Sequence, residues 1–441
     1  MEVKEARATY DALVTVSAGY KHTELGVIPE EWEVCAVRQK GEIITGKALA
    51  VNAPGTLRPY LRTKNVFDGR IDIDDVLKMP MTDEQFVQFR IKSGDVLLNE
   101  GQSLELVGRC AIYQDEFTGP CAIQNALLRF RARAGVSEVF ASHLFRHCQQ
   151  TGVFARIALQ TTSIAHLGGL RFEKLRLAWP KNEVEQRAIA EALSDADALV
   201  ESLEQLIAKK RQIKQGTTQA LLTGRQRLPG FDDNWRRKAL SELFDFSGGY
   251  SASRDQLSAD GHCYLHYGDI HTSSKSFVDV GAESQELPRL DISISKVNAN
   301  SLLKDGDVVF VDASEDDEGT SKHVVIINKD NAPFISGLHT IVAKSKTDEL
   351  DHAFRRYCFQ TPDIKQQFRF FAVGTKVSGV SKSNIGKIEL SVPPVAEQRA
   401  IATILTDMET ELAELETRLA KTRQLKQGMM QELLTGRIRL V

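Results

Sequence analysis

The sequence predicts an α+β protein in which two β-rich modules each precede a long helix. A repeat is the first observation: a constant offset of 212 residues carries Glu185–Leu228 onto Glu397–Leu440 without a gap, and more than half of the aligned residues are identical. Both copies also show helical periodicity. The segments before them consist of short β-branched and aromatic runs separated by Gly, Asp and Asn, which is typical of strands and turns.

Both copies of the repeat carry a heptad seam. Apolar or small residues recur at steps of three and four, which indicates a coiled-coil helix. They are Ile189, Leu193, Ala196, Val200, Leu203 and Ile207 in the first copy and Ile401, Leu405, Met408, Leu412, Leu415 and Leu419 in the second. Each copy ends at Thr-Gly, a normal helix stop. Forty residues of helix span about 60 Å, so we expect two antiparallel helices that separate the modules and relate them by a pseudo-two-fold axis.

Composition bounds the class of protein. A chain of 441 residues exceeds the usual size of a single core, so two or more domains are expected. The first residues lack the features of a signal peptide and no apolar run could span a membrane, which predicts a cytoplasmic protein. Six scattered cysteines without a Cys-x-x-Cys pair predict buried free thiols rather than a zinc site. Because the net charge is −3, DNA binding would depend on local basic faces.

The repeat extends into the modules and suggests the domain boundaries. Leu25–Trp32 and Leu228–Trp235 are both proline-containing approaches to a Trp, and both modules contain Gly-Asp-Val, in Ser93–Leu98 and in Asp305–Phe310. We predict an N-terminal arm (1–25), a first module (26–181), a first helix (182–227), a second module (228–393) and a second helix (394–441).

Catalytic motifs are not recognisable. Pro393-Pro394 lacks the aromatic residue of an adenine methyltransferase motif and is read as a helix start. Gly41–Ala48 nearly fits a phosphate-binding loop, but Ala48 replaces the hydroxyl residue that would reach magnesium, so a turn is favoured. The acidic segment Asp312–Glu318 has no partner at a recognisable spacing and is read as a solvated loop rather than a metal site.

Taken together, these motifs resemble the specificity (S) subunits of type I restriction-modification systems. The resemblance is carried by the repeated Glu-Gln-Arg-Ala-Ile-Ala and Leu-Leu-Thr-Gly-Arg segments, by Ile28-Pro-Glu-Glu-Trp32 and by Gly-Asp-Val. It implies two target-recognition domains, each reading one half of a bipartite, asymmetric DNA site, with helices that set the gap and dock methyltransferase (M) subunits. It implies a non-catalytic subunit of an adenine-N6 methyltransferase and restriction complex.

The resemblance also implies the partners. They are double-stranded DNA, two M subunits that carry S-adenosylmethionine, and restriction (R) subunits bound through the complex. We expect no cofactor, no metal and no membrane association for this chain itself. The alternative is a duplicated scaffold that spaces protein partners without reading DNA. Sequence-selective retention of DNA by the assembled complex would separate the two hypotheses.

Polar loop residues are the candidates for DNA contact, since side chains that reach base edges read sequence. The loop after Gly-Asp-Val and the Thr/Ser-rich loop before each long helix are favoured as regions, while any single residue could equally be an ordinary surface side chain. In the first module the candidates are Lys47, Arg62, Lys64, Asn65, Gln102, Ser103, Gln124, Asn125, Thr161, Thr162 and Ser163. In the second they are Tyr250, Arg254, His266, Tyr267, Ser314, Lys322, His323, His339, Lys376, Ser378 and Lys382.

Two features of the helices have open interpretations. The basic run Lys209–Lys214 could be a solvated helix face, or it could face DNA or a partner subunit. Gly216 and Gly428 each cost about 1 kcal/mol relative to Ala in a helix interior, which suggests close approach of a neighbouring backbone.

Overall fold

The computed structural model describes residues 17–160, 163–273, 275–314, 321–374 and 378–440. The chain divides into two compact units, the first formed by Met1–Glu204 with Thr417–Val441 and the second by Gln205–Glu416. This division falls inside both long helices, so each unit holds one β-rich module and a part of each helix. No helix in the described part of the chain is long and apolar enough to cross a membrane.

The first module is built on an antiparallel four-stranded sheet in the order Gly41–Thr45, Leu127–Ala132, Val96–Asn99, Cys110–Ile112. A mixed three-stranded sheet lies in the order Ala122–Ile123, Thr56–Leu61, Leu77–Met81. The other strands are Tyr20–Thr23, Gly26–Pro29, Trp32–Ala36, Gly101–Gln102, Leu159–Gln160, Ala165–His166 and Arg176–Pro180. Its short helices are Val37–Lys40, Thr63–Asn65, Asp83–Phe89, Glu138–Gln150, Val153–Ile157 and Gly169–Lys174.

The second module has a five-stranded sheet in the order Phe244–Gly248, Thr340–Ser345, Val308–Val311, His323–Ile327, Phe277–Asp279, with the last pair parallel. A mixed four-stranded sheet follows the order Leu257–Ser258, Arg289–Leu290, His262–Leu265, Phe334–Ser336. The remaining strands are Arg236–Ala239, Ala313–Ser314, Ser378–Gly379 and Glu389–Val392. Its short helices are Leu240–Leu243, Arg254–Gln256, Tyr267–Thr272, Val280–Glu283, Ile294–Lys296, Ala299–Ser301, His352–Cys358, Pro362–Phe371 and Lys382–Ile385.

The Gly-Asp-Val motif closes a turn in front of the central strand of each main sheet. Asp95 accepts the backbone N–H of Lys92 at 2.7 Å, and Asp307 accepts that of Lys304 at 2.8 Å. The glycine before each aspartate has a positive φ, 90° in the first module and 80° in the second, which a residue with a Cβ rarely adopts. The motif therefore sets the start of equivalent strands in the two modules.

The two long helices are Glu183–Leu222 and Val395–Leu433, and both end two to three residues before a glycine of positive φ. Within the first unit Glu204 pairs with Arg423 at 2.6 Å, and Asp197 pairs with Lys426. From the first pair to the second, the residue number falls along the first helix and rises along the second. The two segments are therefore antiparallel, as the sequence predicts.

The second unit repeats this antiparallel pairing. Arg211 binds Glu416 at 2.7 Å, and Lys214 binds Glu409 at 2.9 Å. Lys210 also binds Glu411 at 2.6 Å, so three members of the predicted basic run meet carboxylates of the other helix.

The seam residues divide between two environments. Leu203, Ile207 and Leu412 are buried, while Val200, Leu415 and Leu419 are half-buried. Ile189 and Leu193 are fully buried in the core of the first module, and Ile401 and Leu405 in that of the second. Burying one such side chain contributes about 1.5–3 kcal/mol, so the helix starts stabilise the modules themselves.

Each module core also receives the end of the other helix. Met430, Leu433 and Leu434 pack in the first core, and Leu221 and Leu222 pack in the second. Neither module is therefore complete without segments that lie far away in the sequence.

A buried carboxylate joins these segments in the first unit. The Glu185 side chain is 1% exposed and lies in the first turn of its helix. It accepts the indole N–H of Trp32 at 3.2 Å and two N–H groups of Arg439, both at 2.9 Å. The carboxylate raises the pKa of Arg439. We call this set the first clamp.

The second unit contains the equivalent clamp. Glu397 accepts the indole N–H of Trp235 at 2.9 Å and two N–H groups of Arg227 at 2.7 and 2.8 Å. The next residue extends the likeness. Gln186 accepts the backbone N–H of Ser137, Gln398 accepts that of Asp351, and each donates to a proline carbonyl just before its own helix. The repeated Glu-Gln thus ties each module to its helix.

We predict that Arg439→Ala lowers the free energy of unfolding of the first unit by about 2 kcal/mol, since it leaves the buried Glu185 carboxylate without the two hydrogen bonds that Arg439 donates. The measurement is urea unfolding followed by tryptophan fluorescence. Arg437→Ala is the matched control, because Arg437 is exposed and lies 3.4 Å from Glu432. Equal unfolding midpoints for the two variants would contradict a structural role for the first clamp.

Candidate nucleic-acid interface

The two loops favoured by the sequence lie side by side in each module. After the central strand, Gly101–Gln102 pairs antiparallel with Ala165–His166 in the first module. In the second, Ala313–Ser314 pairs antiparallel with Ser378–Gly379. We call each of these two-stranded ladders, with the described residues beside it, a reading strip. The described ends of the loop after Gly-Asp-Val and of the loop before the long helix therefore lie side by side in each module.

A carboxylate stands at the start of each reading strip and contacts a histidine. Glu100 Oε2 lies 3.0 Å from Nδ1 of His166. Asp312 Oδ1 lies 3.3 Å from Nδ1 of His339. The carboxylates occupy equivalent positions, one residue beyond the central strand, but the histidines come from different parts of their modules. Glu100 and His166 were missed in the sequence analysis; the repeat offset, which relates Glu100 to Asp312, could have identified the two carboxylates but not the histidines.

The first-module candidates occupy several environments. Lys47, Asn125 and Ser163 are exposed, whereas Gln102, Ser103 and Gln124 are half-buried. Thr161 and Thr162 lie outside the described residues. The structure thus leaves polar side chains on and beside the first reading strip for contact with a ligand.

The predicted basic residues near Tyr60 are paired within the module. Arg62 binds Asp75 at 2.5 Å, and Lys64 binds the same carboxylate at 2.9 Å. The Lys64 hydrogen bond, with the charge of Arg62, lowers the pKa of Asp75. Asn65 is 2% exposed and holds the turn, donating to the Asp72 carbonyl at 2.8 Å. We therefore leave Asn65 out of the proposed contact surface.

In the second module an aromatic group adjoins the reading strip. The Tyr267 ring meets His339 edge-on at 5.4 Å and lies 4.6 Å from the His266 ring. His266 is 7% exposed, and its Nδ1 accepts the backbone N–H of Gly268, capping a short helix. Burial, followed by the nearby Arg254 charge, lowers the pKa of His266. Tyr267 and His339 are thus the accessible members, and His266 supports them.

His323 lies in the core rather than on the surface. It packs edge-on against Phe359 at 5.0 Å and lies 5.7 Å from Phe310. Burial lowers its pKa to about 4, so it is neutral at pH 7. Its neighbour Lys322 donates to the His271 carbonyl. Because both side chains are engaged in the module, we leave His323 and Lys322 out of the contact surface.

The remaining second-module candidates lie near the reading strip or outside the described residues. Arg254 and Lys382 are exposed, and Tyr250 is half-buried. The backbones of Ser314 and Ser378 pair with each other. Lys376 lies outside the described residues.

The described part of the chain contains neither a phosphate-binding loop nor a cluster of metal ligands. Gly41–Thr45 is a strand, and no helix follows it before Thr63, so this segment lacks the helix N-terminus on which a phosphate loop depends. Within the described ranges, no group of three His, Cys, Asp or Glu residues is placed to hold a metal ion. All six cysteines are buried, and burial raises the pKa of the Cys121 thiol to about 12.

The chain is similar to proteins of type I restriction-modification systems. Residues 232–427 match the family model described as the type I restriction modification DNA specificity domain. Two proteins of Methanocaldococcus jannaschii align over nearly all of the chain. The type I restriction enzyme MjaVIII specificity subunit is 22% identical, and the alignment covers 94% of each chain. The type I restriction enzyme MjaX specificity subunit is 24% identical, and the alignment covers 96% of this chain and 97% of that one.

A solved structure shares the fold. The S subunit of a type I restriction-modification system from M. genitalium superposes with a TM-score of 0.51 at 14% identity, covering 95% of this chain and 98% of that one. The match therefore extends over both modules and both long helices.

Proposed function

Because this chain belongs to the specificity subunits of type I restriction-modification systems, we propose that each of its modules reads one half of a bipartite, asymmetric DNA site. The observation that carries the proposal is the reading strip. The same backbone ladder recurs in both modules with different side chains, which suits two surfaces that bind the same kind of ligand and discriminate different base sequences.

The proposed complex divides the chemistry among its subunits. This subunit is non-catalytic and assembles with DNA, M subunits and R subunits. We propose two M subunits per chain, since the helix motif occurs twice, and S-adenosylmethionine bound by those M subunits for transfer to adenine N6. A cytoplasmic location remains a prediction.

The long helices offer one equivalent face in each unit for docking. Ile213 is 44% exposed and Leu425, at the equivalent position, is 65% exposed. A Cβ at Gly216 or Gly428, three residues further on, would meet nothing within 4 Å. The expected close neighbour is thus absent among the described residues, and each glycine leaves room for one. We propose that this apolar face, Ile213 with Gly216 and Leu425 with Gly428, binds an M subunit.

The first test is to co-express the chain with its cognate M subunit and map modified adenines in host DNA by single-molecule sequencing. We expect a two-part motif with an unread gap that disappears when this chain is omitted. A soluble complex that modifies no DNA would favour the scaffold hypothesis, and an ungapped palindrome would argue against separate half-sites.

For docking, we predict that Ile213→Glu combined with Leu425→Glu weakens co-purification of the M subunit at least tenfold, because two charges would enter an apolar contact. The matched control is Lys209→Glu combined with Lys421→Glu, which changes exposed positions of the same two helices. Equal retention of the M subunit by both double variants would place docking elsewhere.

For the gap, we predict that inserting one heptad after Glu204 and one after Glu416 lengthens the unread spacer by about three base pairs. Seven residues add about 10 Å of helix and preserve the seam register. The two insertions fall at equivalent positions of the antiparallel helices. Modified motifs with unchanged half-sites and an unchanged gap would show that the helices do not set the spacing.

A further inference from the structure

The carboxylate–histidine pairs are the feature that distinguishes the two reading strips from ordinary polar surface. Glu100 is 15% exposed and its His166 ring is 47% exposed, whereas the corresponding values for Asp312 and His339 are 33% and 50%. In both modules the carboxylate lies deeper than the ring. Glu100 therefore holds its ring by a hydrogen bond, whereas Asp312 Oδ1 lies beside its ring without one, and both rings are accessible to a ligand.

The backbone around the two carboxylates is equivalent. The carbonyl of Glu100 accepts the N–H of Leu167 at 2.8 Å, and that of Asp312 accepts the N–H of Val380 at 2.8 Å. Both donors belong to the loop that precedes the long helix. This shared geometry shows that each pair is built into the junction of the two favoured loops.

The first pair is anchored on several sides. Oε1 of Glu100 accepts the backbone N–H of Gly168 at 3.2 Å, while Oε2 contacts the ring. Arg171 donates to the His166 carbonyl at 2.6 Å. A Cβ on Gly101 would lie 3.2 Å from the ring, so the ring lies directly over this glycine. The position of His166 is thus restricted before any ligand binds.

The second pair places its ring by a different route. His339 follows the strand Phe334–Ser336 and has a φ of 61°, and its backbone carbonyl accepts the N–H of Asp312 at 3.1 Å. Tyr267 meets its ring edge-on. Because the two histidines lie in different loops, the two rings have different neighbours although the strips are otherwise equivalent.

The charge of the pair favours a base over a phosphate. The carboxylate within 3.3 Å of each ring carries a negative charge that repels a phosphate oxygen. Because Nδ1 is the nitrogen beside the carboxylate in both pairs, Nε2 is the ring nitrogen left for a ligand. A single nitrogen in a fixed position can contact a base edge in the major groove.

Building on the proposed function, we propose that His166 and His339 are specificity-determining residues, each contacting a base edge in one half-site. Glu100 and Asp312 are positioning residues that orient the two rings. The pairs thus contribute one discriminating contact to each half of the bipartite motif.

The test maps the modified motif for complexes carrying His166→Ala or His339→Ala. Each variant should relax one base position in one half-site, with discrimination at that position falling about tenfold, and leave the other half-site unchanged. Glu100→Gln and Asp312→Asn should relax the same positions more weakly, which loss of a merely structural contact would not do. If the complex with an alanine variant modifies no DNA, the motif is mapped for the variant with glutamine in place of that histidine. The same loss of discrimination at one base position is then expected.

His352→Ala is the matched control for the second module. Nδ1 of His352 lies 3.6 Å from Asp305 and its side chain is 54% exposed, but this pair lies at the opposite end of the central strand. We expect its motif to match the wild type. His22→Ala, at an exposed histidine away from the first strip, serves the first module.

The outcomes separate the two proposals. Uniformly weaker modification with an unchanged motif would indicate a phosphate or structural contact and overturn the base-reading assignment. If the wild-type motif has two parts and none of the four substitutions changes it, the base-reading assignment is overturned and the proposed function stands. A wild-type complex without a two-part motif would instead count against the proposed function.

Discussion

A buried carboxylate at the start of each long helix is the constraint on which the rest of the structure depends. Glu185 and Glu397 are almost inaccessible, and an ionised carboxylate in that position must be paired and hydrogen-bonded. The helix N-terminus contributes favourable electrostatics, and a tryptophan and an arginine complete the coordination. Because the arginine in each clamp lies just beyond the end of the other helix, the clamp fixes where that helix must return.

This constraint explains why the modules and helices behave as one structure within each unit. The core of the first module contains the start of one helix and the end of the other, and the core of the second is built in the same way. A reading strip therefore has its loops anchored to a helix that is itself part of the module core. Such an attachment limits the motion of the loops relative to the helix and favours discrimination between similar base sequences.

The repeat and its periodicity were sufficient to predict the two long helices and their antiparallel packing within each unit. Local patterns could not show that Glu185 meets Arg439, since that contact joins residues 254 positions apart. Nor could they separate buried from accessible polar residues. His323 begins the strand His323–Ile327 and packs against Phe310 and Phe359, and Asn65 holds a turn; only the tertiary structure reveals these positions.

The division of labour within the duplicated chain follows from these contacts. Residues that the repeat preserves, such as the clamp glutamates and arginines, bind one another and tie distant segments of each unit together. The reading strips keep the backbone ladder while the residues along it differ, so the two ladders offer different chemistry on a common frame. The carboxylate–histidine pairs combine both properties: the carboxylate keeps its place in the repeat, and the histidine reaches it from a loop that is free to differ between modules. Discrimination can thus change in one half-site without loss of the fold that supports the other.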